Sequence, residues 1–173
     1  CGVKTTLLER FGCFGGNITV VGVEGFAWYR HEKTVEAGGI GREFEELAKE
    51  MGAAVPESQS LSYELDSEGF KLVADKLVMD SGIHPMLHRS FSMPIMEGNT
   101  IIGVIVESKA GREAILSKVV IDATGDADVA FRAGAQLNTM PVEELMATSV
   151  MFHLAGVDKK AFLSEIQNNP QSY

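Results

Sequence analysis

Residues 119–135 read Val-Val-Ile-Asp-Ala-Thr-Gly-Asp-Ala-Asp-Val-Ala-Phe-Arg-Ala-Gly-Ala, and they constrain this chain more than any other stretch. An apolar, β-branched run passes without a spacer into small residues, three acids and a helix-forming pattern. A buried strand feeding directly into a helix leaves unsatisfied backbone N–H groups at the helix start, which suit an anion such as a phosphate. Small residues in the turn let a ligand or another backbone approach closely. Asp122, Asp126 and Asp128 invite a metal reading. Their spacing matches no calcium loop, and Asp126 and Asp128 can serve as helix caps, so no metal site is expected.

The opening of the chain carries a second constraint. Residues 3–9 read as a buried strand of β-branched and apolar residues that closes on an acid, Glu9. A glycine-rich stretch follows, Phe11-Gly12-Cys13-Phe14-Gly15-Gly16-Asn17. In a dinucleotide-binding βαβ unit, a G-x-G-x-x-G turn holds the pyrophosphate, and an acid about 20 residues later takes the ribose hydroxyls. Glu9 fits that acid, and its partner turn would lie before residue 1. A chain that opens without Met, directly in a strand, reads as processed or as part of a longer protein.

Between these blocks the pattern alternates. Residues 18–37 form an irregular segment with one helical turn, and Gly38-Gly39 breaks it. A helix is expected near 40–52, with Ile40, Phe44, Leu47, Ala48 and Met51 as its apolar stripe. Residues 54–65 read as a loop with a short extended piece. Asp66 is a good N-cap for a second helix near 67–81, striped by Phe70, Val73, Ala74, Leu77 and Val78 and ended by Gly82. Strands at 83–89, 91–96, 101–107 and 114–123, separated by turns such as Glu97-Gly98-Asn99 and Ala110-Gly111-Arg112, imply antiparallel hairpins. A helix near 126–134, a strand near 146–155 and a short helix from Asp158 complete the pattern. The fold class is therefore α/β, with an incomplete Rossmann-like sheet and an antiparallel β-meander insertion. Residues 1–155 form one domain with the meander near 83–121, and residues 156–173 begin a following segment.

Composition excludes several classes. The formal charge of −9 opposes nucleic-acid binding and adhesion to an anionic membrane, both of which need Lys and Arg. No apolar run approaches the roughly 20 residues of a membrane span. Glycine is abundant, 18 of 173 residues against a usual share of roughly 7%. Cys1 and Cys13 suit neither a disulfide framework nor a zinc site, so a cytoplasmic location is expected.

The block Asp122-Ala123-Thr124-Gly125-Asp126-Ala127-Asp128, with its tail Arg132-Ala133-Gly134-Ala135, resembles the second flavin-contacting motif of the FAD-dependent oxidoreductase family, of the glutathione-reductase-like FAD fold. Leu7-Leu8-Glu9-Arg10-Phe11-Gly12-Cys13-Phe14-Gly15-Gly16-Asn17 resembles the same family's second strand and glycine stretch. The two blocks stand in the family's order, and the resemblance covers roughly residues 2–154. It implies FAD as cofactor. Glu9 then resembles the acid on the adenosine ribose, and Arg10 sits where the chain passes the adenine. Gly15, Gly16 and Asn17 resemble the segment running toward the pyrophosphate and flavin ring. Ala123, Thr124, Gly125 and Asp126 resemble the turn near the pyrophosphate and ribityl chain. The family's first glycine turn is absent from these residues, so the chain reads as a fragment expected to hold FAD weakly by itself.

The implied activity is transfer of hydride or electrons between a small organic substrate and an acceptor. Arg30 and His31 are the candidates beside the substrate: Arg30 could hold a carboxylate bidentately, and His31 could move a proton near neutral pH. His84 and His88 flank a strand at its surface, and His153 reads as a core or sheet-face residue. Cys13 lacks a nearby second cysteine for redox work, and the methionines are expected to fill irregular core. Two other readings stand beside the oxidoreductase: a non-catalytic remnant or binding module that keeps the fold without the cofactor, and a nicotinamide-binding Rossmann protein without flavin. Oligomeric state is not legible in the sequence.

Overall fold

The structure is a computed structural model that describes residues 2–26, 30–31, 34–35, 38–57 and 62–172, with only the backbone for residues 30–31, 34–35 and 172. At its centre, strand β1 (Thr6–Leu8) pairs in parallel with β6 (His84–Met86), Leu7 lying opposite Pro85. Between them lie β2 (Arg30–His31), β3 (Thr34–Val35), α1 (Ile40–Glu50), β4 (Ala54–Pro56), β5 (Tyr63–Leu65) and α2 (Ser67–Asp80). The meander follows as β7 (Ser90–Glu97), β8 (Thr100–Ser108) and β9 (Gly111–Leu116), antiparallel in that order. Two helices, α3 (Asp128–Arg132) and α4 (Lys159–Asn168), come last.

The alternation of side chains along β1 explains the layering, because successive residues point to opposite faces of a strand. Leu7 packs with Phe14, Ala74 and Val78 on the α2 side. Leu8 packs with Val104, Val106 and Val129 on the meander side. The parallel pair is thus covered on both faces, as a continuous apolar strand requires. Close approach of β8 and β9 depends on Gly103, where a Cβ would run into the Ile115 carbonyl and come within 2.9 Å of Leu116 Cα.

Helix α2 forms as its signals predict. The Asp66 side chain accepts from the Glu68 N–H at 3.0 Å, and Phe70, Val73, Ala74 and Val78 are buried. Helix α1 packs on the core through the middle of its expected stripe, Phe44, Leu47 and Ala48, whereas Ile40 and Met51 at its ends are exposed and Glu45 is fully buried. The Glu45 carboxylate tolerates burial because it pairs with Lys49, whose ammonium also lies 4.2 Å from the Tyr63 ring centroid.

Several expectations are corrected. The strand expected at 3–9 is paired only over Thr6–Leu8, and the strand at 83–89 only over His84–Met86. The strand expected at 114–123 ends at Leu116, and residues 117–123 have no strand partner among the described residues. Residues 146–155 form no strand, and Met146 and Val150 are almost fully exposed. High β-propensity alone makes no strand: a strand exists only where a neighbour supplies the ladder and the packing. Conversely, β4 and β5 pair antiparallel within 54–65, where a loop with one short extended piece is expected, because three-residue strands are too short to show a period. Met79, Met93, Met96, Met140, Met146 and Met151 are exposed rather than core, and Met86 is half-buried.

Candidate functional site

The two sequence blocks meet through the meander. Leu8, just before Glu9, packs in the same cluster as Val120 and Val129, which flank the Asp122–Asp128 turn. Buried Val104 and Val106 of β8 form the floor of that cluster.

Beyond the β1–β6 pairing, the two strand exits are laced together. The Glu9 N–H donates to Met86 O at 3.0 Å, Arg89 N–H to Glu9 O at 2.9 Å, and His88 N–H to Phe11 O at 3.1 Å. The half-buried Glu9 carboxylate is oriented by the Phe11 N–H, which donates to Oε1 at 2.8 Å. Its other oxygen can accept from a hydroxyl. Arg10 is exposed, with its guanidinium 4.4 Å from the Phe11 ring centroid.

An open groove of about 770 Å³ lies beside this lacing, lined by Arg10, Leu87–Ser90 and the 107–110 hairpin tip. Of these residues, sequence patterns single out only Arg10 as cofactor-binding. The rest depends on a hairpin folding back over a strand exit, which no local pattern encodes. One partial signal is present: Gly12 carries no side chain where the His88 ring lies, and a Cβ there would come within 2.9 Å of the imidazole Cε1. His88 itself has φ 54°, a left-handed conformation that costs a non-glycine residue on the order of 1 kcal/mol.

Gly15 and Gly16 lie outside this groove. Gly15 has φ 110°, and a Cβ on it would run into the Thr19 side chain. Thr19 is buried and donates to Phe14 O at 2.7 Å, which closes the loop. Asn17 opens a π-helical turn, Asn17–Val21, a form that often marks functional positions. Gly16 has φ 54°, and nothing lies within 4 Å of where its Cβ would stand, so its backbone faces open space.

The 122–128 turn is braced by Asp122, to which its sequence pattern assigns no role of its own. Its Oδ1 accepts from the Thr124 N–H at 3.1 Å and the Thr124 hydroxyl at 2.7 Å, and its Oδ2 accepts from the Ala130 N–H at 2.9 Å. Thr124 Oγ1 in turn accepts from the Asp128 N–H at 2.9 Å. Burial pushes the Asp122 carboxyl up, but the donors from Ala130, Thr124 and Val129 outweigh it and hold it below the usual range. Helix α3 begins at Asp128, and its N-cap is Ala127 at φ 57°, without a side-chain cap; the expected Asp126 cap does not form. Ala123, Thr124, Gly125 and Asp126 are exposed, and Gly125 has φ 94° with nothing within 4 Å of a Cβ.

The structure does not gather every candidate. The groove at Arg10 contains neither Gly15–Asn17 nor the 123–126 turn. Arg30 and His31 form β2, paired with β3, but their side chains, like Trp28 and Tyr29 entirely, lie outside the described residues. His84 and His88 are exposed. His153 is not a core residue. It is exposed, with Nε2 4.0 Å from Glu24 and the ring close to Gly22.

The Glu9 carboxylate keeps an oxygen open to a hydroxyl, and the backbone is open at Gly16 and at Gly125. The profile of the FAD dependent oxidoreductase family matches residues 1–172. The crystal structure of Thermovibrio ammonificans THI4 has a similar fold, with a TM-score of 0.51 and 16% identity. The match covers 76% of this chain and 52% of that one, so the chain spans about half of that protein's length. No curated protein matches the chain. With a family match that runs almost end to end over an α/β fold of this kind, the chain belongs to the FAD dependent oxidoreductase family.

Proposed function

We propose that this chain contributes the nucleotide-holding half of an enzyme that moves hydride or electrons between a small organic substrate and an acceptor. The observation that carries the reading is the shared meander cluster, which leans the Glu9 strand end and the Asp122–Asp128 turn on one support. FAD, when bound, supplies the electron-transfer chemistry. The protein's own work is positioning. Glu9, fixed by the Phe11 N–H, accepts from ribose hydroxyls, with Arg10 beside the adenosine end. Gly15, Gly16 and Asn17 line the path inward. Ala123, Thr124, Gly125 and Asp126 present backbone along the pyrophosphate and ribityl chain. Thr124 spends its hydroxyl bonds inside the turn, so its part is to hold the shape. Arg30 and His31 are the candidates for the substrate's carboxylate and proton. The small-molecule substrate and a cytoplasmic setting belong to the same proposal; among the described residues no helix is long and apolar enough to cross a membrane.

The visible spectrum of the purified complete protein tests this. Flavin bands that persist through gel filtration support the reading. A colourless, correctly folded protein that takes up no added FAD favours the non-catalytic module instead.

A further inference from the structure

We propose that His88 is a specificity-determining residue that selects the adenine-bearing flavin by offering its ring as a wall of the groove beside Arg10. The assignment rests on the FAD reading above and deepens it.

Three independent observations converge on His88. Its backbone is left-handed, φ 54°, in the short turn that carries the chain from β6 into β7. Glycine would make that turn without strain, and asparagine with little. Its imidazole lies against the bare backbone of Gly12, where any Cβ would come within 3.0 Å of Nε2. The ring is thereby held on one side and remains exposed on the other. Finally, the ring lines the open groove together with Arg10.

The chemistry of the groove suits an uncharged aromatic base next to a sugar. Imidazole is planar, and so is the Arg10 guanidinium, already placed over the Phe11 ring. Planar groups of this kind bind a purine by stacking, with little dependence on directed hydrogen bonds. The groove carries charge of both signs: Arg89 Nε pairs with Glu113 at 2.6 Å, Glu107 pairs with Arg112 Nη2 at 2.5 Å, and Arg10 and Lys109 also line it. The backbone of Glu9 is tied to the same wall, its carbonyl oxygen accepting from the Arg89 N–H at 2.9 Å.

The test uses the complete protein stripped of its flavin. Binding of FAD, ADP and FMN is titrated for the wild type, H88G, H88N and G12A, and thermal midpoints are recorded alongside. H88G and H88N keep the left-handed turn and remove the ring, whereas G12A keeps the ring and displaces it. The expected result is a loss of about tenfold in affinity for FAD and for ADP in H88G and H88N, with FMN, which lacks the adenosine, changed by less than about twofold. G12A falls between them and the wild type. H88G is expected to melt no lower than the wild type, which separates loss of recognition from loss of fold. A ratio of FAD to FMN affinity unchanged in both H88G and H88N overturns the role of His88 while leaving the cofactor reading intact. A wild type that binds neither FAD nor ADP overturns both.

Discussion

Asp122 shows how one carboxylate can hold a turn that its sequence motif spreads over seven residues. Both its oxygens are engaged, by Thr124 on one side and the start of α3 on the other. Asp122→Ala should lower stability by about 2 kcal/mol, since hydrogen bonds to a charged group contribute more than neutral ones. A urea-midpoint shift measures it. The pH dependence follows from the direction of the shift. The folded-state value is depressed, so the stabilisation is complete above the ordinary Asp value of 3.8 and is lost as the pH falls through the lower folded-state value. Asp122→Asn should therefore show a smaller acid-side loss of stability than the wild type. The residue scale is also where the motif is most legible and its roles least so. The neighbours of Thr124 in sequence point it at the cofactor, whereas its hydroxyl bonds internally, and only coordinates reveal which way a hydroxyl turns.

Among the elements, α2 is readable almost to its last residue. A capping Asp, a 3.6-residue apolar stripe and a closing glycine all agree, and agreement between local signals is what makes a helix predictable. Helix α1 is readable in extent and in its core-facing residues Phe44, Leu47 and Ala48, but not in the burial of Glu45, which has Lys49 as partner. Lys49→Met should cost about 3 kcal/mol in a chemical-denaturation experiment, because it takes the ion pair away from a buried carboxylate, and the double variant with Glu45→Gln should recover most of the loss. The missing strands teach the converse. Residues 117–123 and 146–155 carry β-branched and apolar residues, yet among the described residues no strand pairs with them.

For the molecule as a whole, those unpartnered runs leave an apolar surface. Ile121 is 84% exposed and Met146 is 95% exposed, with Val119, Val150 and Phe152 also open. The 173-residue chain should therefore bind a hydrophobic dye such as ANS while folded, as large exposed patches do. Ile121→Lys combined with Met146→Lys should weaken that signal while changing stability by no more than about 0.5 kcal/mol, because neither side chain is packed. An unchanged dye signal, or a large loss of stability, would show that these residues are in fact covered. At this scale the two clusters against β1 also account for the layering, with α2 on one face of the parallel pair and the meander on the other.

The linear order of residues was enough to determine the α/β class, the α2 helix, the meander and the family, because each is written in short-range patterns: a cap, a period, a turn, a motif. Tertiary structure alone decided that the Glu9 strand end and the Asp122 turn share one support, that a groove opens beside Arg10, and that His88 stands on its wall. Those facts arise from contacts between segments many tens of residues apart. A side chain's partners across such a distance depend on how every intervening element packs, which no local pattern contains.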